Sequence, residues 1–314
     1  MNKARIIAIG QTLGVLILMS FGAIFMKIAL FEVAPITFAW VTVGIAMITM
    51  SLYTFGIRRE RIPKGLTKQV WFFIIMIGIC NFTISRFTRP LAVQRLPVVT
   101  VSYVGNFIGF ITMAMSIFIL KEVPTIFQLI GALIAFIGIR IFFLVGPTSY
   151  EFVGILFILV GIVAVAYTNN IARKLAIVTN YELSNNIVST VALLIGGTLT
   201  VGIGVLIDGV PQIYGWKNWA IILYTAIVTT SLGLTVWNKI LRTLRSYEAS
   251  ILGASTIIWT TILAVVILGE TLTDYKLIGM ALMVIGLVLV QVRKGRLDVL
   301  IERLKRRFSP TAST

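Results

Sequence analysis

The polar side chains of this sequence that are suited to chemistry lie within long apolar runs and recur at helical spacing. Asn81, Ser85 and Arg89 stand four residues apart, and Arg86 lies beside them. Side chains four residues apart share one face of an α-helix, so these residues predict a polar stripe. An arginine side chain can bind a carboxylate through two parallel hydrogen bonds. The chemistry that this stripe predicts is therefore recognition of an anionic group.

Three other apolar runs carry polar residues at similar spacing. The first run carries Ser102 and Asn106. The second carries Ser231, Thr235 and Asn238, followed by Arg242, and the third carries Thr256 and Thr260. Such side chains commonly form hydrogen bonds between membrane helices, and that role alone accounts for any single Ser or Thr. Four stripes together favour a water-filled cavity with aromatic walls. The predicted substrate-binding residues are Asn81, Ser85, Arg86, Arg89, Ser102, Tyr103, Asn106, Trp237, Asn238, Thr256, Trp259 and Thr260.

The elements that position these residues follow from the composition. Of 314 residues, 58% are hydrophobic and only 12% are charged, which excludes an ordinary soluble domain. Gly, Pro and charged residues divide the chain into ten apolar runs: 6–27, 36–56, 70–92, 98–119, 125–145, 152–172, 184–207, 218–240, 248–268 and 276–292. A helix satisfies its own backbone polar groups in lipid, so we predict an all-α integral membrane protein with ten transmembrane helices.

The residue types exclude several classes of chemistry. Histidine is absent and Cys80 is the single cysteine, so intramolecular disulfides, Cys/His metal sites and histidine-based catalysis are ruled out. HExxH, GxSxG and paired catalytic carboxylates are also missing, and we expect neither an enzyme nor a cofactor. No acidic residue lies at the centre of an apolar run, which favours facilitated diffusion or exchange over proton symport.

The basic residues indicate how the chain is oriented. With the N-terminus inside, twenty Lys and Arg residues fall on the inner side and seven elsewhere, so both termini are predicted to be cytoplasmic. We expect a multi-pass protein of the plasma membrane. The net charge of +16 then implies the anionic inner leaflet as a partner, and not nucleic acid. The tail, 293–314, has apolar residues at helical spacing and is either an amphipathic helix on that leaflet or a short solvated helix.

The sequence repeats itself at an offset of 148 residues. The pattern E-x-x-T-x-x-x-L-I-G-x-x-x-x-x-I-G begins at Glu122 and again at Glu270. This predicts two repeats, 1–150 and 151–292, each with five helices. Because five is odd, the second repeat enters the membrane with the opposite orientation. Inverted repeats are a transporter architecture, with the substrate near the midplane between them.

These patterns resemble the EamA family of the drug/metabolite transporter superfamily. The resemblance rests on the repeated pattern, on Ser20-Phe-Gly-Ala-Ile-Phe-Met-Lys27 and on the turn Ala92-Val-Gln-Arg-Leu-Pro97. It implies a ten-helix carrier of small organic metabolites, and it leaves the substrate open. One departure is that Trp40 and Val41 stand where an arginine is expected, whereas Arg86 and Arg89 are additional.

Two function classes remain open. The first is an exporter or facilitator of small metabolites, such as amino acids or other carboxylates, that works by alternating access. The second is a lipid-carrier flippase or a non-transporting partner subunit, which would need a groove open to the bilayer. The polar stripes favour the first, as a monomer or a homodimer.

Several charged residues also have a purely structural interpretation. Lys27, Arg89 and Arg140 lie near the ends of apolar runs, where their side chains are expected to snorkel outward and pair with Glu32 or Glu151. Glu122 and Glu270 are expected to cap the fifth and tenth helices. Two sets of small residues predict faces of close helix packing: Gly10 and Gly14, and Gly131, Ala135 and Gly138.

Overall fold

The computed structural model describes residues 3–236, 253 and 255–290, and all regular structure in these ranges is helical. Helix α1 is Lys3–Ala29, α2 is Pro35–Ser51 with a π-helical end at Leu52–Ile57, and α3 runs through Lys68–Ile77, Gly78–Ile84 and Ser85–Arg95. Helix α4 has two parts, Val98–Gly105 and Ile108–Ile119. They are followed by α5 (Ile126–Phe142), α6 (Ser149–Val178), α7 (Asn185–Asp208), α8 (Trp216–Tyr224 and Thr225–Leu232), α9 (Thr256–Leu268) and α10 (Asp274–Val290).

Many of these helices are suited to a bilayer. By length and composition, seven helical stretches in the described residues can cross a membrane: Thr12–Ala29, Pro35–Ile57, Lys68–Arg95, Val98–Ile119, Ser149–Val178, Asn185–Asp208 and Trp216–Val236. Ile126–Phe142 and Thr256–Leu268 are shorter apolar helices. The prediction of an all-helical, multi-pass membrane protein is confirmed. The tail 293–314 lies outside the described residues.

The chain forms two compact units that cut across its two halves. Of the described residues, the larger unit contains 3–121, 146–236, 253 and 255–272, and the smaller contains 122–145 and 273–290. Helix α5, the last helix of the first half, therefore pairs with α10, the last helix of the second half. All the other described helices belong to the larger unit.

Helices α2 and α7 form an antiparallel pair in the larger unit. At one end, the Thr37 hydroxyl donates to a carboxylate oxygen of Asp208 at 2.6 Å. Near the other end, the Thr54 and Thr190 hydroxyls lie 2.7 Å apart. Between these contacts, the indole of Trp40 packs against the backbone of Gly204. Trp40, which stands where the resemblance implies an arginine, is therefore a packing residue between α2 and α7.

Helices α5 and α10 make the smaller unit, and glycines bring them together. A Cβ atom at Gly131 would lie 2.5 Å from the carbonyl oxygen of Gly286, and one at Gly138 would lie 2.9 Å from that of Gly279. Only glycine allows two helix backbones to approach this closely. The predicted close-packing face of Gly131, Ala135 and Gly138 is confirmed, since all three are buried and the Ala135 side chain lies against Gly286.

Candidate functional site

Helices α3 and α8 each contain a π-helical segment, and the two segments are at equivalent positions. The offset of 148 residues moves Gly78–Ile84 onto 226–232, which lies within the α8 segment Thr225–Leu232. In α8 the hydroxyls of Thr230 and Ser231 donate to the carbonyls of Thr225 and Ala226, five residues earlier, at 3.0 and 3.1 Å. Segments of this kind occur often at functional sites, so this region is the first place to look for a substrate site.

Arg86 connects these two segments. It lies directly after the π-helical part of α3, and its Nη1 donates to the Thr230 hydroxyl at 3.2 Å. Its Cζ stands 5.7 Å from the centre of the Phe82 ring, within the range of a cation–π contact. The side chain is half-buried. The Arg86 side chain thus links α3 to α8, the equivalent helix of the second half.

Arg89 lies one turn further along α3 and is exposed. Within the described part of the chain, neither Arg89 nor Arg86 has a carboxylate oxygen within 4.0 Å, and the ion pair found there joins Arg58 to Glu60. Charged side chains in membrane helices are costly, and they usually face a partner or water. Two positive charges three residues apart on one helix can therefore attract an anion.

Asn81 and Ser85 are the other two residues of the predicted stripe on α3. Both side chains are half-buried, and neither has a hydrogen-bond partner among the described residues. Their amide and hydroxyl groups are consequently available to a bound molecule.

The predicted residues of α4 have different surroundings. The Asn106 amide donates to the Ser102 carbonyl at 2.8 Å, at the point where the two parts of α4 meet. Its amide therefore stabilises the break in the helix. Tyr103 is fully buried, and its ring meets that of Phe107 edge-on at 5.7 Å. Ser102 is half-buried.

The polar side chains of the α8 and α9 stripes mainly form hydrogen bonds within the protein or are buried in it. The Ser231 and Thr49 hydroxyls lie 2.7 Å apart, so this part of α8 binds to α2. Thr256 donates to the Gly253 carbonyl at 2.7 Å, and Thr260 is buried. The indole N–H of Trp259 is buried without a hydrogen-bond partner in the described ranges. Trp237, Asn238 and Arg242 lie outside the described residues.

Lys27 does not pair with Glu32 or Glu151 as expected. Its Nζ donates to the carbonyls of Val93, Leu96 and Gln94 at 2.7, 3.0 and 3.4 Å, at the C-terminal end of α3. The expected acidic partners are engaged elsewhere: Glu32 accepts from the Asn218 amide, and Glu151 caps its own helix with Thr148. Carbonyls at a helix end carry partial negative charge, which explains why they attract this ammonium group.

The expected role of Glu270 is also wrong. Its carboxylate accepts from the backbone N–H groups of Val98 and Val99 at 2.6 and 3.0 Å, so it caps α4 and not α10. Helix α5 is capped by its own Thr125 and Gln128, which form a capping box. The repeated pattern singled out Glu270, but only the fold brings it to a helix that begins 172 residues earlier.

Comparisons with known proteins agree with this architecture. The model of the EamA-like transporter family matches residues 6–144 and, a second time, residues 152–292. Among solved structures, 28 chains match. One crystal structure aligns over 97% of this chain and 99% of its own length, with a TM-score of 0.64 and 16% sequence identity, which shows a shared fold. The comparison with curated proteins found no match.

Proposed function

Because the chain belongs to the EamA-like transporter family, we propose that it carries small organic anions, such as amino acids or other carboxylates, across the plasma membrane. Transport proceeds by alternating access around a midplane cavity, as export or facilitated diffusion. Ten helices cross the bilayer, with both termini in the cytoplasm beside the anionic inner leaflet. The substrate binds at Arg86 and Arg89.

The observation that carries this proposal is that Arg86 on α3 has no carboxylate partner in the described part of the chain. Arg86 is held by a neutral hydroxyl and an aromatic ring, and neither contact offsets its charge. A carboxylate about 4 Å away would gain roughly 4 kcal/mol of Coulomb energy at an effective dielectric constant of about 20. The arginine pair therefore favours an anionic substrate over a neutral one of similar size.

The neighbouring groups suit a small polar molecule. The Asn81 amide and the Ser85 hydroxyl have no partner in the described part of the chain, and they lie on the same helix as the arginines. They can bind an amino or hydroxyl group of a substrate whose carboxylate is held by Arg86. An amino acid or a hydroxy acid has this arrangement of groups.

Uptake into proteoliposomes tests the proposal. A panel of radiolabelled amino acids, hydroxy acids and dicarboxylates is compared with neutral compounds of similar size. Arg86→Gln and Arg89→Gln should each lower uptake of the anionic or zwitterionic substrates about tenfold or more, since a hydrogen bond to a charged group contributes about 1.5–3 kcal/mol. Arg86→Lys should retain part of the activity.

Arg140→Gln is the matched control. Arg140 is an exposed arginine in the last turn of the apolar helix α5, and it is not one of the residues proposed to bind substrate. Uptake by this variant should match the parent protein. Unchanged uptake by both α3 variants, with folding intact, would remove Arg86 and Arg89 from the transport mechanism.

A further inference from the structure

Two charged side chains from distant parts of the chain hold the turn between α3 and α4. The Lys27 ammonium group binds the last carbonyls of α3, and the Glu270 carboxylate binds the first two N–H groups of α4. Lys27 belongs to α1, whereas Glu270 follows α9. The turn is therefore joined to both halves of the molecule. We call Lys27, Glu270 and the backbone of 93–99 the latch.

The turn depends on these two residues because it has little capping of its own. Pro97 stands at the N-cap of α4 and makes no side-chain cap hydrogen bond. The N–H groups of the first helical turn need a partner, and a negative charge at a helix N-terminus is favourable. A positive charge is favourable at a C-terminus for the same reason. Each charge in the latch thus has the sign opposite to the partial charge of the helix end that it binds, and the interaction is favourable.

The latch lies close to the proposed substrate site. Arg89 precedes Val93 by four residues and Arg86 precedes it by seven, which is roughly 6 and 10 Å along a helix at about 1.5 Å per residue. Helix α9 also packs against α1 and against the first part of α4. When the latch is formed, helices from both halves are thus held together at the end of α3 that is nearer to the arginines.

We propose that this latch is the gate on the extracytoplasmic side, and that it opens whenever the arginine site exchanges substrate with that side. This inference rests on the proposed function. Opening separates Glu270 from α4, and water then replaces the carboxylate at the Val98 and Val99 N–H groups. Weakening the latch should therefore shift the protein toward the state that is open to the outside.

Cysteine accessibility tests the gate without knowledge of the substrate. Ser85→Cys is introduced beside Arg86 in a Cys80→Ala background, and a membrane-impermeant maleimide is applied to intact cells and to inverted vesicles. Glu270→Gln and Lys27→Met should each raise the labelling rate from the outside at least threefold and lower it from the cytoplasmic side.

Glu151→Gln is the matched control, because this carboxylate also caps a helix N-terminus but binds only its own helix. It should leave both labelling rates unchanged. If Glu270→Gln does not fold, Lys27→Met and the shorter carboxylate of Glu270→Asp decide the question, and Glu270→Asp should give a smaller increase.

The possible outcomes separate the gate from the proposed function. Labelling that occurs in the parent but is unaltered by all latch variants would overturn the gate and leave the arginine site intact. Faster labelling from the cytoplasmic side alone would also overturn it. If the introduced thiol is unreactive from both sides in every variant, the site is not open to water. The proposed function then fails, and the gate with it.

Discussion

Glu60 and Asp208 stand 148 residues apart, and they hold opposite ends of the same helix pair. Glu60 follows α2 and accepts from Ser184 and Asn186 at the start of α7. Asp208 ends α7 and accepts from Thr37 in the first turn of α2. Each acid thus ties the end of its own helix to the beginning of the other. Two equivalent helices must run antiparallel for this to occur, as inverted repeats require.

The same reciprocal pair of contacts between equivalent helices occurs inside the smaller unit. At the offset of 148 residues, Gly131 is equivalent to Gly279 and Gly138 is equivalent to Gly286. The contact of Gly131 with Gly286 therefore becomes the contact of Gly279 with Gly138, which the structure also contains. Equivalent helices are thus antiparallel in each unit taken by itself.

The two acids that follow α2 and end α7, Glu60 and Asp208, should each contribute to the stability of the folded protein. Glu60→Gln and Asp208→Asn should each lower the free energy of unfolding by about 1–3 kcal/mol, because each carboxylate accepts hydrogen bonds from partly buried groups. Thermal unfolding in detergent measures the change. Glu182→Gln is the control, since Glu182 is an exposed acid near the start of α7. An equal loss in this control would mean that general charge, and not the contact, is responsible.

The glycine contacts between α5 and α10 should not tolerate a methyl group. Gly131→Ala places a carbon atom against the Gly286 carbonyl, and we expect a loss of about 1–3 kcal/mol, as for other overpacked sites. The readout is the melting temperature of the purified protein. Gly14→Ala in α1 is the counterpart, because a Cβ there meets no atom of the described residues within 4 Å. It should be neutral or slightly stabilising, and a similar loss in both variants would refute the contact.

The Thr230 hydroxyl should position Arg86 for substrate binding. Thr230→Val removes the partner of the guanidinium group with little change of shape, and KM for an anionic substrate should rise about threefold to tenfold while kcat changes less. Thr230→Ser retains the hydroxyl and should restore KM. Thr229→Val provides the comparison, since the neighbouring Thr229 hydroxyl is buried without a hydrogen-bond partner in the described ranges. A rise in KM in all three variants would indicate a distorted helix instead.

The proposed topology can be measured with reporter fusions. Fusions after residues 65 and 314 should behave as cytoplasmic, and a fusion after residue 213 as extracytoplasmic, because positively charged segments remain inside. Alkaline phosphatase and green fluorescent protein give opposite signals on the two sides. A cytoplasmic signal at position 213 would overturn the ten-helix arrangement.

The sequence alone was sufficient for the membrane class, the helical character of the chain and the family. These properties depend on local composition and on a repeat that is visible at a constant offset. An apolar run of about 20 residues must be helical in lipid whatever surrounds it. The close contact at Gly131 was also predicted from small residues one helical turn apart on an apolar helix. The same spacing at Gly10 and Gly14 did not predict correctly, because a Cβ at either position meets no atom of the described residues within 4 Å.

The tertiary structure alone decided the partners of the charged residues. The π-helical segment at Gly78–Ile84 lies where Gly78 meets the backbone of Gly196 in α7. It changes the angular spacing between Asn81 and Ser85, which a regular helical period does not predict. Lys27 and Glu270 likewise bind backbone groups far away in the chain. Backbone N–H and C=O groups are the same for every residue type, so no sequence pattern reveals which helix end a distant charge will bind.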